Sequence, residues 1–352
     1  MRIVSGISES GWHDLSESGA YEWWYYDAVA DDGRTALVLI WFAGLPFSPD
    51  YLTEHEKGRK PQALDHAALF AAVYRDGRQI AYALNRHDRS QFEASRNEPS
   101  VRVGGSAARW NAEAGRFDLS LDVPLRIGGD RLRGELTFTP SIAPEALGFG
   151  CGGGSDEHVW NPIAPTCHVG GEFSLHALGE ILCAERFRGR GYVDHNYGSR
   201  PLTEGIERWH WGRAHFGDTA VVFYQNEPEH GAHESVLAAV GTDCPPFHAS
   251  EVAFAATAWR RRALCPRFPG AVTVSGRQNG TTVELEGRVR SILDWGPFYM
   301  RFLTDYSGEV QGRRVEATGI SEYLDPRGLR MRILRPLIKT RIQNLSRSPA
   351  PS

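Results

Sequence analysis

Glu22-Trp23-Trp24-Tyr25-Tyr26, followed by Gly33-Arg34-Thr35-Ala36-Leu37-Val38, decides the fold, because the chain states the pattern again at Glu207-Arg208-Trp209-His210-Trp211 and Gly217-Asp218-Thr219-Ala220-Val221-Val222. Matching Trp24 to Trp209, Tyr26 to Trp211 and Gly33-x-Thr35-Ala36 to Gly217-x-Thr219-Ala220 needs one residue of slippage, placed where a turn would fall. Each copy reads as an aromatic strand, a polar turn with glycine and an aliphatic strand, which is the composition of a β-hairpin. A pattern written twice predicts two related β domains with a site between them.

The rest of the chain carries the same period of two. Phe117, Leu119, Leu121 and Val123 alternate with polar residues, as do Leu132, Leu136 and Phe138, and later Val283, Leu285 and Val289. The unbroken apolar runs 36–42 and 219–224 read as strands buried on both faces. Turn signals separate these segments at Asp31-Asp32-Gly33, Asp76-Gly77, Gly128-Gly129-Asp130, Asn279-Gly280 and Asp325-Pro326-Arg327-Gly328. Long amphipathic helices are scarce. The reading is a mainly β protein of two tandem antiparallel barrel or sandwich domains with few short helices, over residues 1–200 and 201–326, followed by a tail over 327–352.

Composition limits the partners. The chain has 352 residues, 41% hydrophobic and 23% charged, enough for two cores of ordinary size. A formal net charge of −4 supplies no field to recruit nucleic acid. Ten Trp and sixteen Phe favour a large apolar ligand as well as packing. Five Cys, at 151, 167, 183, 244 and 265, form an odd and widely spaced set, the pattern of free thiols in a reducing compartment. The N-terminal stretch Met1-Arg2-Ile3-Val4-Ser5-Gly6 shows no signal-peptide core, and no segment reaches the roughly 20 apolar residues of a membrane span, so the expected location is the cytoplasm.

The tail has its own pattern. Ile333, Leu334, Leu337, Ile338, Ile342 and Leu345 fall at helical spacing after Leu329, interleaved with Arg327, Arg330, Arg332, Arg335, Lys339, Arg341 and Arg347. A basic amphipathic helix of this kind fits the surface of an anionic membrane, at the inner face of the cytoplasmic membrane; the alternative is a helix packed on the barrel and kinked at Pro336.

Familiar catalytic motifs are missing: no P-loop, no dinucleotide fingerprint, no G-x-S-x-G and no H-E-x-x-H. Gly150 to Gly154 is glycine-rich but lacks the Lys-Ser/Thr that grips a phosphate, and reads as a loop. No cofactor is expected. His158, His168, His176, Asp194, His195, His210 and His215 are potential metal ligands, but their spacing is not diagnostic, and no metal is expected either.

Two segments hold the candidate chemistry. In His158-Val159-Trp160-Asn161-Pro162, His158 and Trp160 would share one strand face; in Gly191-Tyr192-Val193-Asp194, Tyr192 and Asp194 would do the same. A carboxyl among aromatics is poorly hydrated, which raises its pKa and keeps it protonated as a proton donor. Asp194 also has an ordinary alternative as a turn cap before Asn196-Tyr197-Gly198. The Asp65-His66 pair reads as a cap or a pocket rim.

These residues carry a resemblance. Gly19-Ala20-Tyr21-Glu22-Trp23-Trp24-Tyr25-Tyr26-Asp27-Ala28, Phe47-Ser48-Pro49-Asp50-Tyr51, Leu64-Asp65-His66, Trp160-x-Pro162-Ile163-Ala164-Pro165, Gly191-Tyr192-x-Asp194-x-Asn196-x-Gly198, Trp209-x-Trp211-x-Arg213 and Gly319-Ile320-Ser321-Glu322-Tyr323-Leu324-Asp325 resemble the carotenoid 1,2-hydratase (hydroxyneurosporene synthase) family. Position 212 is Gly where that family usually has Ser. The resemblance covers nearly the whole chain and implies paired lipocalin-like domains. It also implies cofactor-free addition of water to the terminal double bond of an acyclic carotenoid such as neurosporene or lycopene. By that likeness Asp194 is the acid, supported by Tyr192, His158 and Trp160. Trp24, Tyr26, Trp209 and Trp211 are expected along the hydrophobic polyene or isoprenoid substrate. Two other readings stand beside it: a polyene cyclase that starts with the same protonation, and a carrier that binds an isoprenoid without changing it.

Overall fold

The computed structural model describes residues 1–125, 129–147, 158–243 and 245–345. Gly128, the glycine-rich stretch at 150–154 with Cys151, Cys244 and Arg347 lie outside the described residues. The chain divides into two units, Met1–Pro201 together with the chain from Pro336, and Leu202–Arg335.

The first unit is a thirteen-stranded sheet. Its middle runs Ala68–Arg75, Thr35–Ala43, Tyr21–Ala30, Glu180–Gly198, Val159–Ala177, Arg131–Pro140 and Arg116–Pro124 in spatial order, all antiparallel. The sheet curls until its arms meet. The Trp41 indole donates to the Ser106 carbonyl at 3.1 Å, and Asn85 Nδ2 donates to the Pro124 carbonyl at 2.8 Å. Arg116–Pro124 shows why these residues make strands: Phe117, Leu119, Leu121 and Val123 face the core, while Asp118, Ser120 and Asp122 face out. Burying each large apolar side chain is worth about 1.5–3 kcal/mol, so the alternation fixes which face turns inward.

The second unit is a nine-stranded sheet built the same way. Its hairpin Ile206–Phe216 and Thr219–Pro228 pairs onward to Arg313–Leu324 and Glu234–Gly241. Backbone bonding of Ala249 to Leu237 and of His248 to the Gln278 side chain draws its ends together around Phe223, Leu237, Val274, Leu285 and Tyr306. Both units are therefore curled antiparallel sheets with few short helices, as the alternation predicts.

Register corrects the matching of the two hairpins. Ala36 lies opposite Val29, and Ala220 lies opposite His215. Counting back from these pairs, Trp23 corresponds to Trp209, Tyr25 to Trp211 and Asp27 to Arg213, not Trp24 to Trp209 or Tyr26 to Trp211. The first turn spans residues 31–34 and the second only 217–218, so the slippage is two residues. With a side-chain period of two, an error of one residue moves every side chain to the wrong face.

The tail also departs from expectation. Arg327–Arg330, Arg332–Leu334 and Arg335–Lys339 are separate short helical turns, and Gln343–Asn344 is a strand paired in parallel with Arg78–Arg86. Met331 is extended at ψ 98°, which ends the first turn, and Pro336 starts a new one because it has no N–H to continue the old. Leu329 and Ile338 are buried while Ile333 is 82% exposed, so the apolar residues share no single face. Part of the positive charge is used internally, with Arg327 on Asp325, Arg330 on Glu229 and Lys339 on Asp50.

Candidate active site

Tyr192 and Asp194 stand on the face of the Glu180–Gly198 strand that points away from the barrel core. The opposite face carries Phe187 and Val193 into that core. Tyr192 Oη donates to Asp194 Oδ2 at 2.9 Å, Trp160 Nε1 reaches the same oxygen at 3.2 Å and Tyr192 Oη at 3.1 Å, and Asn196 Nδ2 donates to Asp194 Oδ1 at 2.7 Å. All four residues are buried. Trp160 arrives because it pairs with Asn196 across the ladder, which places it on the same face as Asp194. Burial, with the Asp194 carboxyl beside it, pushes Tyr192 well above its ordinary pKa, so it stays a phenol.

Glycine makes this packing possible. A Cβ at Gly191 would lie 2.5 Å from Val169 Cγ2, 2.7 Å from a Phe138 ring carbon and 2.8 Å from the Asp27 carbonyl oxygen. Only a residue without a side chain lets this strand pass so near its neighbours.

His158 shares the face but has its own partner. Its Nδ1 lies 2.9 Å from Tyr21 Oη, and its ring stands 5.9 Å from Trp23. Burial, aided by the charge of the N-terminus, lowers its pKa to about 3, so the imidazole is neutral. Three of the four expected catalytic residues thus form one hydrogen-bonded group, and His158 joins the same face beside it.

The structure does not bring Trp24 and Tyr26 to this group. Their side chains enter the barrel interior. Tyr26 packs edge-on against Trp41, Phe117 and Phe138 at 5.5–5.7 Å, and Trp24 stacks on His195 at 4.9 Å while its indole donates to the Ser10 carbonyl. Trp209 and Trp211 belong to the second unit, on the face opposite its core, with Trp209 edge-on to Tyr224 at 6.0 Å. Gly212 faces that core: a Cβ there would meet the Phe223 ring and Tyr306 Oη at 2.5 Å, leaving no room for Ser without repacking.

Sequence reading missed the other half of the acidic face. Asp27 is fully buried, Tyr25 Oη donates to its Oδ2 at 2.8 Å, and the Tyr25 ring meets the Tyr192 ring edge-on at 6.1 Å. Tyr25 lies opposite Asp194 and Asp27 opposite Tyr192. The signal was present as a second Tyr-x-Asp, at 25–27, but nothing local shows that the two motifs lie side by side.

Among the described residues one set brings three metal-capable atoms within 4.8 Å of one another: His13, Glu22 and His195. Glu22 accepts from the His13 amide, His13 Nδ1 and His195 Nε2, the ring nitrogens each at 2.9 Å. Burial raises the Glu22 pKa, but its hydrogen bonds to the two imidazoles outweigh this and hold it below the usual carboxylate value. The set clasps the N-terminal segment to the barrel mouth, on the face away from Asp194. Asp65 and His66 close the turn Ala63–His66, where His66 is buried and stacks on Tyr51 at 4.3 Å. Cys167 is buried, Cys183 and Cys265 are half-buried, and none of the three forms a disulfide.

Comparison with known proteins bears on what this arrangement does. The family described as carotenoid hydratase CrtC matches residues 39–349. A hydroxyneurosporene dehydrogenase of Chlorobaculum tepidum is 27% identical over 370 residues, covering 99% of this chain and 94% of that protein. An acyclic carotenoid 1,2-hydratase of Cereibacter sphaeroides is 27% identical over 312 residues, covering 86% and 97%. The crystal structure of CghA superposes with a TM-score of 0.61 at 13% identity, covering 92% of this chain and 93% of that one, a likeness of fold.

Proposed function

This chain belongs to the carotenoid hydratase CrtC family, and from that premise we propose that it adds water across the terminal 1,2 double bond of an acyclic carotenoid of the neurosporene or lycopene type. The observation that carries the reading is Asp194, a buried carboxyl held by Tyr192, Trp160 and Asn196.

An isolated alkene needs a strong, positioned acid. Asp194 gives its proton to C2, and the electron pair of the double bond forms the new C–H bond. Positive charge then rests on C1, which bears two methyl groups and the chain, so the cation is tertiary. The π faces of Trp160 and Tyr192 stabilise it by roughly 0.5–2 kcal/mol each, depending on desolvation. Water adds to C1, and the released proton returns to the Asp194 carboxylate, either directly or after capture by the neutral His158 imidazole and transfer onward, which restores the acid for the next turnover. A positioned general acid contributes about 10²- to 10⁴-fold.

Incubation with liposomal lycopene in ¹⁸O-labelled water tests this. A product heavier by one labelled water is the expected result. An isomer of unchanged mass would instead mean cyclisation, and binding without product would mean a carrier.

The substrate is insoluble in water, and we propose peripheral attachment at the inner face of the cytoplasmic membrane through residues 327–352. Exposed Ile333 and Arg332 are the side chains offered. Cosedimentation with anionic vesicles should fall in an Arg332→Glu, Ile333→Asp variant; unchanged cosedimentation refutes the attachment.

A further inference from the structure

We propose that Asp27 is a positioning residue for this reaction: as the ionised member of a tyrosine-linked carboxyl pair, it keeps Asp194 protonated and able to donate. The inference rests on the reading of Asp194 as the acid.

The geometry is reciprocal. On one strand Tyr192 donates to Asp194 at 2.9 Å, and on the adjacent antiparallel strand Tyr25 donates to Asp27 at 2.8 Å. Register sets each tyrosine opposite the other strand's acid, so the two aspartates are diagonal neighbours on one face, with backbones about 7–8 Å apart by sheet geometry. Both are buried, Asp27 completely.

Asp194 by itself has a difficulty as an acid. Tyr192, Trp160 and Asn196 all donate to it, and donors stabilise the carboxylate over the acid. Something must oppose them. Among the described residues, the groups that share its face are Tyr192 and Asn196 on its own strand, Tyr25 and Asp27 on one neighbour, and on the other Trp160 and, further along, neutral His158. Of these, Asp27 supplies a like charge. Two carboxyls in a site poor in water do not both ionise readily, so a charge held on Asp27 opposes one on Asp194. Here the Tyr25 hydroxyl donates to Asp27 and stabilises a charge there. Burial and both carboxyls, Asp194 before Asp27, push Tyr192 upward, which places Asp27 within electrostatic reach of this group.

The hairpin does not require an acid at this position. Arg213 occupies the corresponding site of the second hairpin, which folds with the same pairing. A buried acid retained only in the first copy is therefore a feature of the site.

Asp27→Asn keeps the size and removes the charge. The alkaline limb of the kcat pH profile on liposomal lycopene should move at least one unit toward acid, so that turnover at neutral pH falls about tenfold and returns on acidification, with KM within twofold. Asp27→Glu should restore the limb. An unmoved limb, or a loss equal at every pH, overturns the inference. Should Asp27→Asn not fold, Asp27→Ser removes the same charge with a smaller side chain and is judged by the same limb. Asp194→Asn separates the two levels: if that variant remains active, the reading of Asp194 fails, whereas an inactive Asp194→Asn with an unmoved Asp27→Asn limb sinks only the role of Asp27.

Discussion

Tyr25 lies directly across the ladder from Asp194, and Asp27 directly across from Tyr192, so two Tyr-x-Asp motifs far apart in sequence form one buried patch. The patch exists only because the Tyr21–Ala30 and Glu180–Gly198 strands pair in this register. Its members should therefore fail in distinguishable ways.

Asp194→Asn removes the proton, and turnover should fall at least 10²-fold, the range typical of a lost general acid. Tyr192→Phe keeps Trp160 and Asn196 on the carboxyl and should cost about tenfold in kcat. Steady-state assays on liposomal substrate check both; equal losses would show that Tyr192 does more than orient.

Trp24→Ala should lower stability by about 3–5 kcal/mol, because this ring fills the barrel interior. Trp23, on the other face, stacks with Tyr21 at 5.2 Å and lies beside His158. Trp23→Phe should change turnover more than melting temperature. Chemical denaturation and kcat on both variants decide which face is which.

Gly191→Ala places a methyl group against Val169, Phe138 and the Asp27 carbonyl. Overpacking of this kind costs about 1–3 kcal/mol, and displacement of Tyr192 should lower kcat as well. A urea midpoint equal to that of the parent protein would contradict the packing described.

Stability should fall with acid in two stages. Burial lowers His158 and His210 to about 3 in the folded chain, against an ordinary value of 6.5. Between those limits the unfolded chain binds the proton and the folded chain does not, so stability is full above 6.5 and each ring costs up to about 1.4 kcal/mol per pH unit below it. Glu22 is depressed below its ordinary 4.5, so its contribution is present above that value and is lost as pH falls through the folded one. Denaturation midpoints at a series of pH values should decline from 6.5 downward. The decline should be shallower in His210→Gln between 6.5 and about 3, and shallower in Glu22→Gln only below 4.5.

Alternation made the strands legible without any coordinates: the core positions 117, 119, 121 and 123 are the ones found inside. The Tyr192–Asp194 pair was legible too, because a spacing of two on a strand always puts side chains on one face. Asp27 was not, since its contribution depends on which strand lies beside Glu180–Gly198. The tail misled because helical spacing describes where apolar residues fall, and not whether a backbone that turns extended at Met331 lets them share a face.

The chain alone determined its periodicity, its two hairpins, its short turns and the pairing of an acid with a tyrosine, all of which are local and follow from side chains alternating along extended backbone. Tertiary structure decided which face each strand turns inward and which strand each lies against. A slippage of one residue exchanges inside for outside and a slippage of two does not, and the pairing across a curled sheet, which set it at two, placed Trp24 in the core and Asp27 beside Tyr192.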